Sequence, residues 1–233
     1  MSFPKIISIE GNIGAGKTTL INNLENYINS LLKEGDNSIL FIREPVDVWE
    51  TIKDINGTTI LEKFYGNPEK YAFSFQVMAY ATRTAKLAQI IRENPDCKYV
   101  ICERSLEADN NVFAKMLKDD NKIEDIEYQI YEYFYETRKQ DMNLDAIIYA
   151  DVSPNVCLER ICKRSRDGES GIKIDYLQKC NDYHNEWITR AEKVNQPKVL
   201  RIDANDNTKY DINDETDSGY KWMRIIHNFI KEL

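Results

Sequence analysis

The residues of this 233-residue chain that most plainly promise chemistry form one run, Gly11-Asn12-Ile13-Gly14-Ala15-Gly16-Lys17-Thr18. Its spacing is G-x-x-x-x-G-K-[ST], that of a loop built to wrap phosphate. Glycines let the backbone turn tightly, so that its N–H groups converge on phosphate oxygens. The positive end of the following helix strengthens the same field. Lys17 supplies a point charge to the β- and γ-phosphates, and Thr18 a hydroxyl to Mg²⁺. The run follows an apolar strand and opens a helix, the context that the motif requires, so it implies binding of a nucleoside triphosphate.

Such a loop does not name a reaction. A switch GTPase would add D-x-x-G and N-K-x-D at suitable places. Asp54-Ile55-Asn56-Gly57 fits the first but does not end a plausible strand, and Asn121-Lys122-Ile123-Glu124 misses the second at its last residue. What remains is phosphoryl transfer to a small acceptor. Glu44 follows the second apolar segment, where a parallel strand ends and ligands sit, and Pro45 disfavours helical geometry at it. Gln76, Ala79 and Arg83 are spaced i, i+3, i+7 and share a helix face, and Asp109 can meet Arg83. Arg160 and Arg164 stand one helical turn apart, with Lys163 and Arg166 beside them.

These residues need a scaffold. Five apolar segments read as strands: 4–10, 38–43, 98–102, 145–152 and 198–203. Their continuous apolar character belongs to strands covered on both faces. Helical periodicity marks 17–33, 69–92, 124–140, 155–164, 173–192 and 219–231; in 124–140 it is carried by Ile126, Ile130 and Phe134. Strands alternating with helices predict an α/β fold, a five-stranded parallel sheet with helices on both faces. With no repeat and no Pro- or Gly-rich linker, residues 1–233 read as one domain. The polar stretch 205–218 reads as a solvated loop.

Composition excludes several classes. A net charge of −8 opposes non-specific nucleic-acid binding and adsorption to anionic membranes. No apolar run approaches the ~20 residues of a transmembrane helix. Aromatic residues at 11% take the chain out of the disordered regime. The five cysteines form no C-x-x-C pair, and only His184 and His227 could assist as imidazole ligands, which opposes a zinc site or disulfide framework. Free thiols fit a reducing compartment. Met1-Ser2-Phe3-Pro4 has neither the charged, apolar leader nor the Arg/Ser-rich segment of a targeting peptide, so a cytoplasmic location is expected.

Taken together, the phosphate loop, Glu44-Pro45-Val46 with Trp49, Glu103-Arg104-Ser105 and the arginine-rich segment resemble the deoxynucleoside kinase family over nearly the whole chain. The resemblance implies a P-loop NTPase fold with an Arg-rich lid at about 163–172. It implies transfer of the γ-phosphate of ATP, or another triphosphate, to the 5′-hydroxyl of a deoxynucleoside. In the family the glutamate at 44 accepts the hydroxyl proton. Glu103 is placed for Mg²⁺ with Thr18 and could compete with Glu44 as base. Arg104 meets the 5′-oxygen and the moving phosphoryl group, with Lys17, Arg160, Arg164 and Arg166 on the phosphates.

For the acceptor, the resemblance places Gln76 against the base edge and reads the base with the Arg83–Asp109 pair. Thymidine-preferring relatives carry less polar groups at those two positions, so deoxycytidine, deoxyadenosine or deoxyguanosine is expected instead. Tyr65 and Glu169 match residues that bind the sugar 3′-hydroxyl. Phe75 and Phe113 match the aromatic base sandwich, and Ile13, Val46, Trp49 and Leu61 its apolar lining. Gly168 departs from deoxycytidine-directed members, which carry an acidic residue there; the departure loosens the lid. Asp203 to Asn207 resembles the loop that touches the donor base. A homodimer is expected; the aromatic helix near Tyr128, Tyr131, Phe134 and Tyr135 could contribute to it, although core packing explains that helix equally well. The rivals are a nucleoside monophosphate kinase of the thymidylate kinase kind and a non-enzymatic P-loop module.

Overall fold

The computed structural model describes residues 3–33, 35–139, 142–166 and 168–233, and the side chains of all of these except Lys139 and Ser170. Met1, Ser2, Gln140 and Asp167 of the expected lid lie outside the described residues. Five strands, β1 (Lys5–Glu10), β2 (Ile39–Ile42), β3 (Tyr99–Glu103), β4 (Leu144–Asp151) and β5 (Lys198–Asp203), form one sheet in the order β2-β3-β1-β4-β5. Every pairing is parallel. All five therefore end along one edge, and the loops leaving that edge can meet.

Six long helices follow the sequence periodicity: α1 (Lys17–Leu31), α4 (Pro68–Glu93), α7 (Asp125–Lys139), α8 (Pro154–Arg164), α9 (Ile174–Val194) and α10 (Ser218–Lys231). Pleating sends alternate strand residues to opposite faces. Ile7 and Ile9 of β1 pack with Leu20, Ile21 and Leu24 of α1 and with Ile226 of α10. Ile6, with Val100 and Cys102 of β3, packs with Tyr80 of α4, Tyr131 of α7 and Trp187 of α9. Both faces are covered, as the apolar strands require.

Four short helices went unread in the sequence: α2 (Val46–Thr51), α3 (Ile60–Gly66), α5 (Leu106–Ala108) and α6 (Lys115–Asp119). A wide π turn, Asp109–Ala114, joins α5 to α6. α2, α3 and α4 build a third apolar cluster around Trp49, Phe64 and Phe75, beside the sheet edge. α7 corrects one reading. Its periodic residues Ile126, Ile130 and Phe134 are 65%, 43% and 41% exposed, whereas Tyr131 and Tyr135 are the buried ones. The helix is packed through its tyrosines, and its aliphatic stripe faces outward.

Candidate active site

The phosphate loop joins β1 to α1. Gly11 has φ +148°, and a Cβ there would stand 2.7 Å from the Ala150 carbonyl oxygen, so the loop can lie against β4 only with glycine at this position. Asn12 is buried; its Nδ2 donates to the Leu177 carbonyl (2.8 Å) and its Oδ1 accepts from the Ile13 N–H (2.8 Å). Gly11 and Asn12 thus shape the loop from behind, while Ile13, Gly14, Gly16, Lys17 and Thr18 line the cavity in front. Gly16 opens α1, and among the described residues no side chain caps the first turn. Lys17 Nζ donates to the Asn12 and Gly11 carbonyls at 2.8 and 3.2 Å. Burial, aided by Arg104, lowers its pKa to about 8, which leaves it charged at neutral pH.

The cavity measures about 510 Å³ and runs from the loop to the α2–α3–α4 cluster. Thr18 Oγ1 donates to Glu103 Oε1 at 2.7 Å, bringing a hydroxyl and a carboxylate together at the loop end. Glu44 leaves β2 toward the same point. Its Oε1 accepts from Arg83 Nη2 at 3.1 Å and lies 3.4 Å from Arg104 Nε. Burial works against ionisation of Glu44, but Arg104, Arg83 and Lys17 outweigh it and hold the pKa below the usual carboxylate range.

Arg83 is the hub of the cavity end away from the phosphate loop. Its Nε donates to Asp109 Oδ2 at 2.8 Å, its Nη2 to Asp109 Oδ1 at 3.3 Å, and its Nη1 to the Glu103 carbonyl at 3.1 Å. Burial disfavours its charge, and Asp109 and Glu44 more than restore it. Gln76 is 3% exposed, and its Oε1 has no hydrogen-bond partner among the described residues. A buried acceptor left open in this way is costly unless a ligand donates to it. Arg104 repeats the pattern: it is 5% exposed, its Nη1 is unpartnered among the described residues, and its guanidinium lies 4.6 Å from the Phe113 ring centroid.

Apolar walls complete this end. Phe75 stacks on Phe64 at 4.7 Å and meets Trp49 edge-on at 5.4 Å. Trp49 is fixed by its indole N–H, which donates to Thr82 Oγ1 at 2.9 Å. Val46, Leu61 and Tyr65 join them, and Tyr176 meets Tyr65 edge-on. Phe64 and Tyr176 escaped the sequence reading. The signal for Phe64 was present, since Thr59-Ile60-Leu61-Glu62 is a capping box that announces α3, and both of its hydrogen bonds form.

The arginine-rich segment splits in two. Arg164 and Arg166 face the cavity and share Glu169, with Nη2–Oε2 at 2.5 Å and Nη1–Oε1 at 3.3 Å. Arg160 lies elsewhere. Its Nη2 donates to the carbonyls of Ala204, Asn205 and Asp206 at 3.0–3.1 Å, and its Nη1 to that of Ala15 at 3.4 Å. It ties the loop after β5 to the phosphate loop and lines a second cavity of about 410 Å³, with Asn207, Tyr210 and Trp222. Gly168 lies on α3: at φ +83°, a Cβ would stand 3.0 Å from Glu62 Cγ. Its missing side chain lets residues 168–171 rest on that helix.

The donor set fits a hard divalent cation of the magnesium kind. No group of three or more His, Cys, Asp or Glu residues able to hold a metal occurs among the described residues. Mg²⁺ held by one carboxylate, one hydroxyl and substrate phosphates needs no such group.

The chain is also similar to known proteins. The family model described as deoxynucleoside kinase matches residues 7–231. The fowlpox virus protein named "Probable deoxycytidine kinase FPV151" is 34% identical over 98% of this chain and 89% of its own length. Human deoxycytidine kinase is 31% identical over 88% of this chain and 85% of its own length. The mitochondrial deoxyguanosine kinase of Xenopus laevis is 28% identical over 80% of this chain and 74% of its own.

Proposed function

The chain belongs to the deoxynucleoside kinase family and is a phosphotransferase acting on a nucleoside hydroxyl; on that premise we propose that it phosphorylates the 5′-hydroxyl of deoxycytidine, deoxyadenosine or deoxyguanosine, with ATP or another nucleoside triphosphate as donor. The observation that carries this reading is the arrangement around Glu44. One ionised carboxylate sits between two arginines, at the junction of the phosphate loop and an aromatic cleft.

The acceptor base lies between Phe75 and Phe113, with Gln76 and the Arg83–Asp109 pair at its polar edge. Tyr65 and Glu169 take the sugar 3′-hydroxyl. That brings the 5′-hydroxyl to Glu44, which receives its proton. Lys17, Arg104, Arg164 and Arg166 stabilise the charge on the moving phosphoryl group, and preorganised cations of this kind are the main catalytic resource for a loose transition state. Thr18 and Glu103 would hold Mg²⁺, which when bound would neutralise phosphate charge. The donor base extends into the second cavity, because the first holds the acceptor. A nucleoside monophosphate is disfavoured, since Glu44 and Asp109 would repel its phosphate.

Further readings rest on the surface and the core. The outward stripe of Ile126, Ile130, Tyr133 and Phe134 supports a homodimer packed through α7. Five free cysteines, four of them buried, support a reducing compartment such as the cytoplasm. No helix among the described residues is long and apolar enough to cross a membrane. Apolar cores continuous with both sheet faces support reading 1–233 as one domain.

The test is transfer of labelled γ-phosphate from MgATP to a panel of deoxynucleosides and their monophosphates. Label should enter deoxycytidine or a purine deoxynucleoside faster than thymidine or any monophosphate; a preferred monophosphate would overturn the reading. Glu44→Gln should lower kcat by about 10²–10⁴-fold while leaving KM near its normal value.

A further inference from the structure

Glu10 is the last residue of β1 and has no part in the reaction described above. It is completely buried, an uncommon state for an acidic residue. Its Oε1 accepts a hydrogen bond from Ser105 Oγ at 2.7 Å, and its Oε2 has no partner among the described residues. Burial pushes the carboxyl up to about 7, with Arg104 pulling the other way.

Its reach explains the placement. Ser105 follows Arg104, whose backbone sits at φ +64°, a left-handed conformation that a long side chain rarely adopts. Two ties from β1 frame that residue. The Arg104 N–H donates to the Ile9 carbonyl at 3.1 Å, and on the other side Glu10 receives the Ser105 hydroxyl. The same hydroxyl accepts from the Ala108 N–H at 3.1 Å and so caps α5. Backbone strain at a functional residue persists only where its surroundings over-determine it.

We propose that Glu10 is a positioning residue: through the Ser105 hydroxyl it holds the Arg104 main chain in its left-handed turn, and so aims the guanidinium at the transferring phosphoryl group. This rests on the kinase reading of Arg104. The hydrogen bond needs an acceptor oxygen, which a carboxylate supplies most strongly and a neutral acid or an amide also supplies. The Asp109 N–H donates to the Ser105 carbonyl at 3.2 Å, but both of its carboxylate oxygens accept from Arg83, so the nucleoside end keeps its own anchor when Glu10 is cut back.

The experiment is a double-mutant cycle on the full chain, with Glu10→Ala, Ser105→Ala, their combination and Glu10→Gln. Kcat and KM for the best deoxynucleoside, ATP affinity and unfolding temperature are measured for each. Wild-type transfer to a deoxynucleoside tests the kinase reading by itself; the variants test the positioning. Each alanine variant should lower kcat by about 10- to 100-fold, the effect of a misplacement near 1 Å, with KM within about threefold of wild type. The combination should be no slower than the slower single variant. Glu10→Gln should stay within about fivefold of wild type, as a retained acceptor requires.

Near-normal kcat in Glu10→Ala, losses that multiply, an effect confined to KM, or a Glu10→Gln variant as slow as Glu10→Ala would each overturn the proposal. If Glu10→Ala does not fold, Glu10→Met, which keeps the volume and removes the acceptor oxygen, takes its place. A kcat loss of about 10- to 100-fold in Glu10→Met beside an active Glu10→Gln supports the proposal, and a near-normal Glu10→Met overturns it.

Discussion

Removing Asp109 would show whether its pairing with Arg83 serves stability or selection of the base. Arg83 and Asp109 are both buried, at 6% and 3% exposure. Asp109→Ala removes two of the four hydrogen bonds that Arg83 makes, leaving those to Glu44 and the Glu103 carbonyl. Breaking a buried pair costs about 3–5 kcal/mol, because the surviving charge stays desolvated. Glu44 still faces Arg83, so the lower end applies, about 3 kcal/mol. At about 2–4 °C per kcal/mol for a chain of this size, the unfolding temperature should fall by roughly 6–12 °C. Arg83→Met combined with Asp109→Ala removes both charges of the pair, though also the bond from Arg83 to Glu44, so its loss should be smaller than the sum of the two single losses.

The same double variant should change the acceptor. With the charged pair gone, the wall facing the base becomes apolar and can take a methyl group. One such group in an apolar pocket is worth about 1–3 kcal/mol, so kcat/KM for thymidine relative to deoxycytidine should rise at least about tenfold. Thermal unfolding of the two single variants and the double, with kcat/KM on both nucleosides, checks this. A double variant that loses the sum of the single losses would refute the stability argument. An unmoved thymidine ratio would refute the assignment of the pair to the base.

Two further outcomes follow from geometry. Gly11→Ala places a Cβ about 2.7 Å from the Ala150 carbonyl at φ +148°. It should cost about 1–3 kcal/mol and abolish most of the stabilisation by ATP, read as the ligand-induced rise in unfolding temperature; an undiminished rise would show that the loop does not depend on contact with β4. His184 is buried and donates from Nδ1 to the Cys180 carbonyl; burial, then Arg104, lowers its pKa to about 3. A depressed histidine is neutral when folded but protonates when unfolded as the pH falls below 6.5. Stability is therefore full above 6.5 and lost toward pH 3, at about 1.4 kcal/mol per unit. His184→Phe should lack this loss, so parallel stability–pH curves for wild type and variant would contradict it.

What could be read from sequence, and what could not, follows from how locally each feature is encoded. The phosphate loop is contiguous, so its chemistry was legible with no fold at all. Glu44, Glu103, Arg83 and Asp109 were legible only as candidates, since their meeting depends on which strands are neighbours. α7 shows the limit of periodicity. Ile126, Ile130 and Phe134 define a helical face, but nothing local says which face a neighbour will cover, and the tyrosines on the other side won. Arg160 carried the right charge at the right spacing, yet three main-chain carbonyls of a segment more than forty residues away hold it. The π turn at Asp109–Ala114 left no pattern to read, because a single added residue in a turn shifts the phase on which helical periodicity depends.

The strand order supplies what local patterns lack. In β2-β3-β1-β4-β5 the first three neighbours end at Ile42, Glu103 and Glu10. The segments leaving them carry Glu44, Arg104 and the phosphate loop. Parallel pairing puts those ends on one edge, so base, arginine and phosphate loop stand side by side although about ninety residues separate the first strand from the third. β4 and β5 lie on the other side of β1, and the segment leaving β5 borders the second cavity. The two cavities thus flank the loop on opposite sides of one strand, which is the arrangement that the proposed acceptor and donor sites call for. The last residue of that strand, Glu10, is bonded to the segment that follows β3. A shift of the E-R-S turn relative to the phosphate loop must therefore break a buried hydrogen bond, and the two reacting ends stay in register for the same reason that the sheet does.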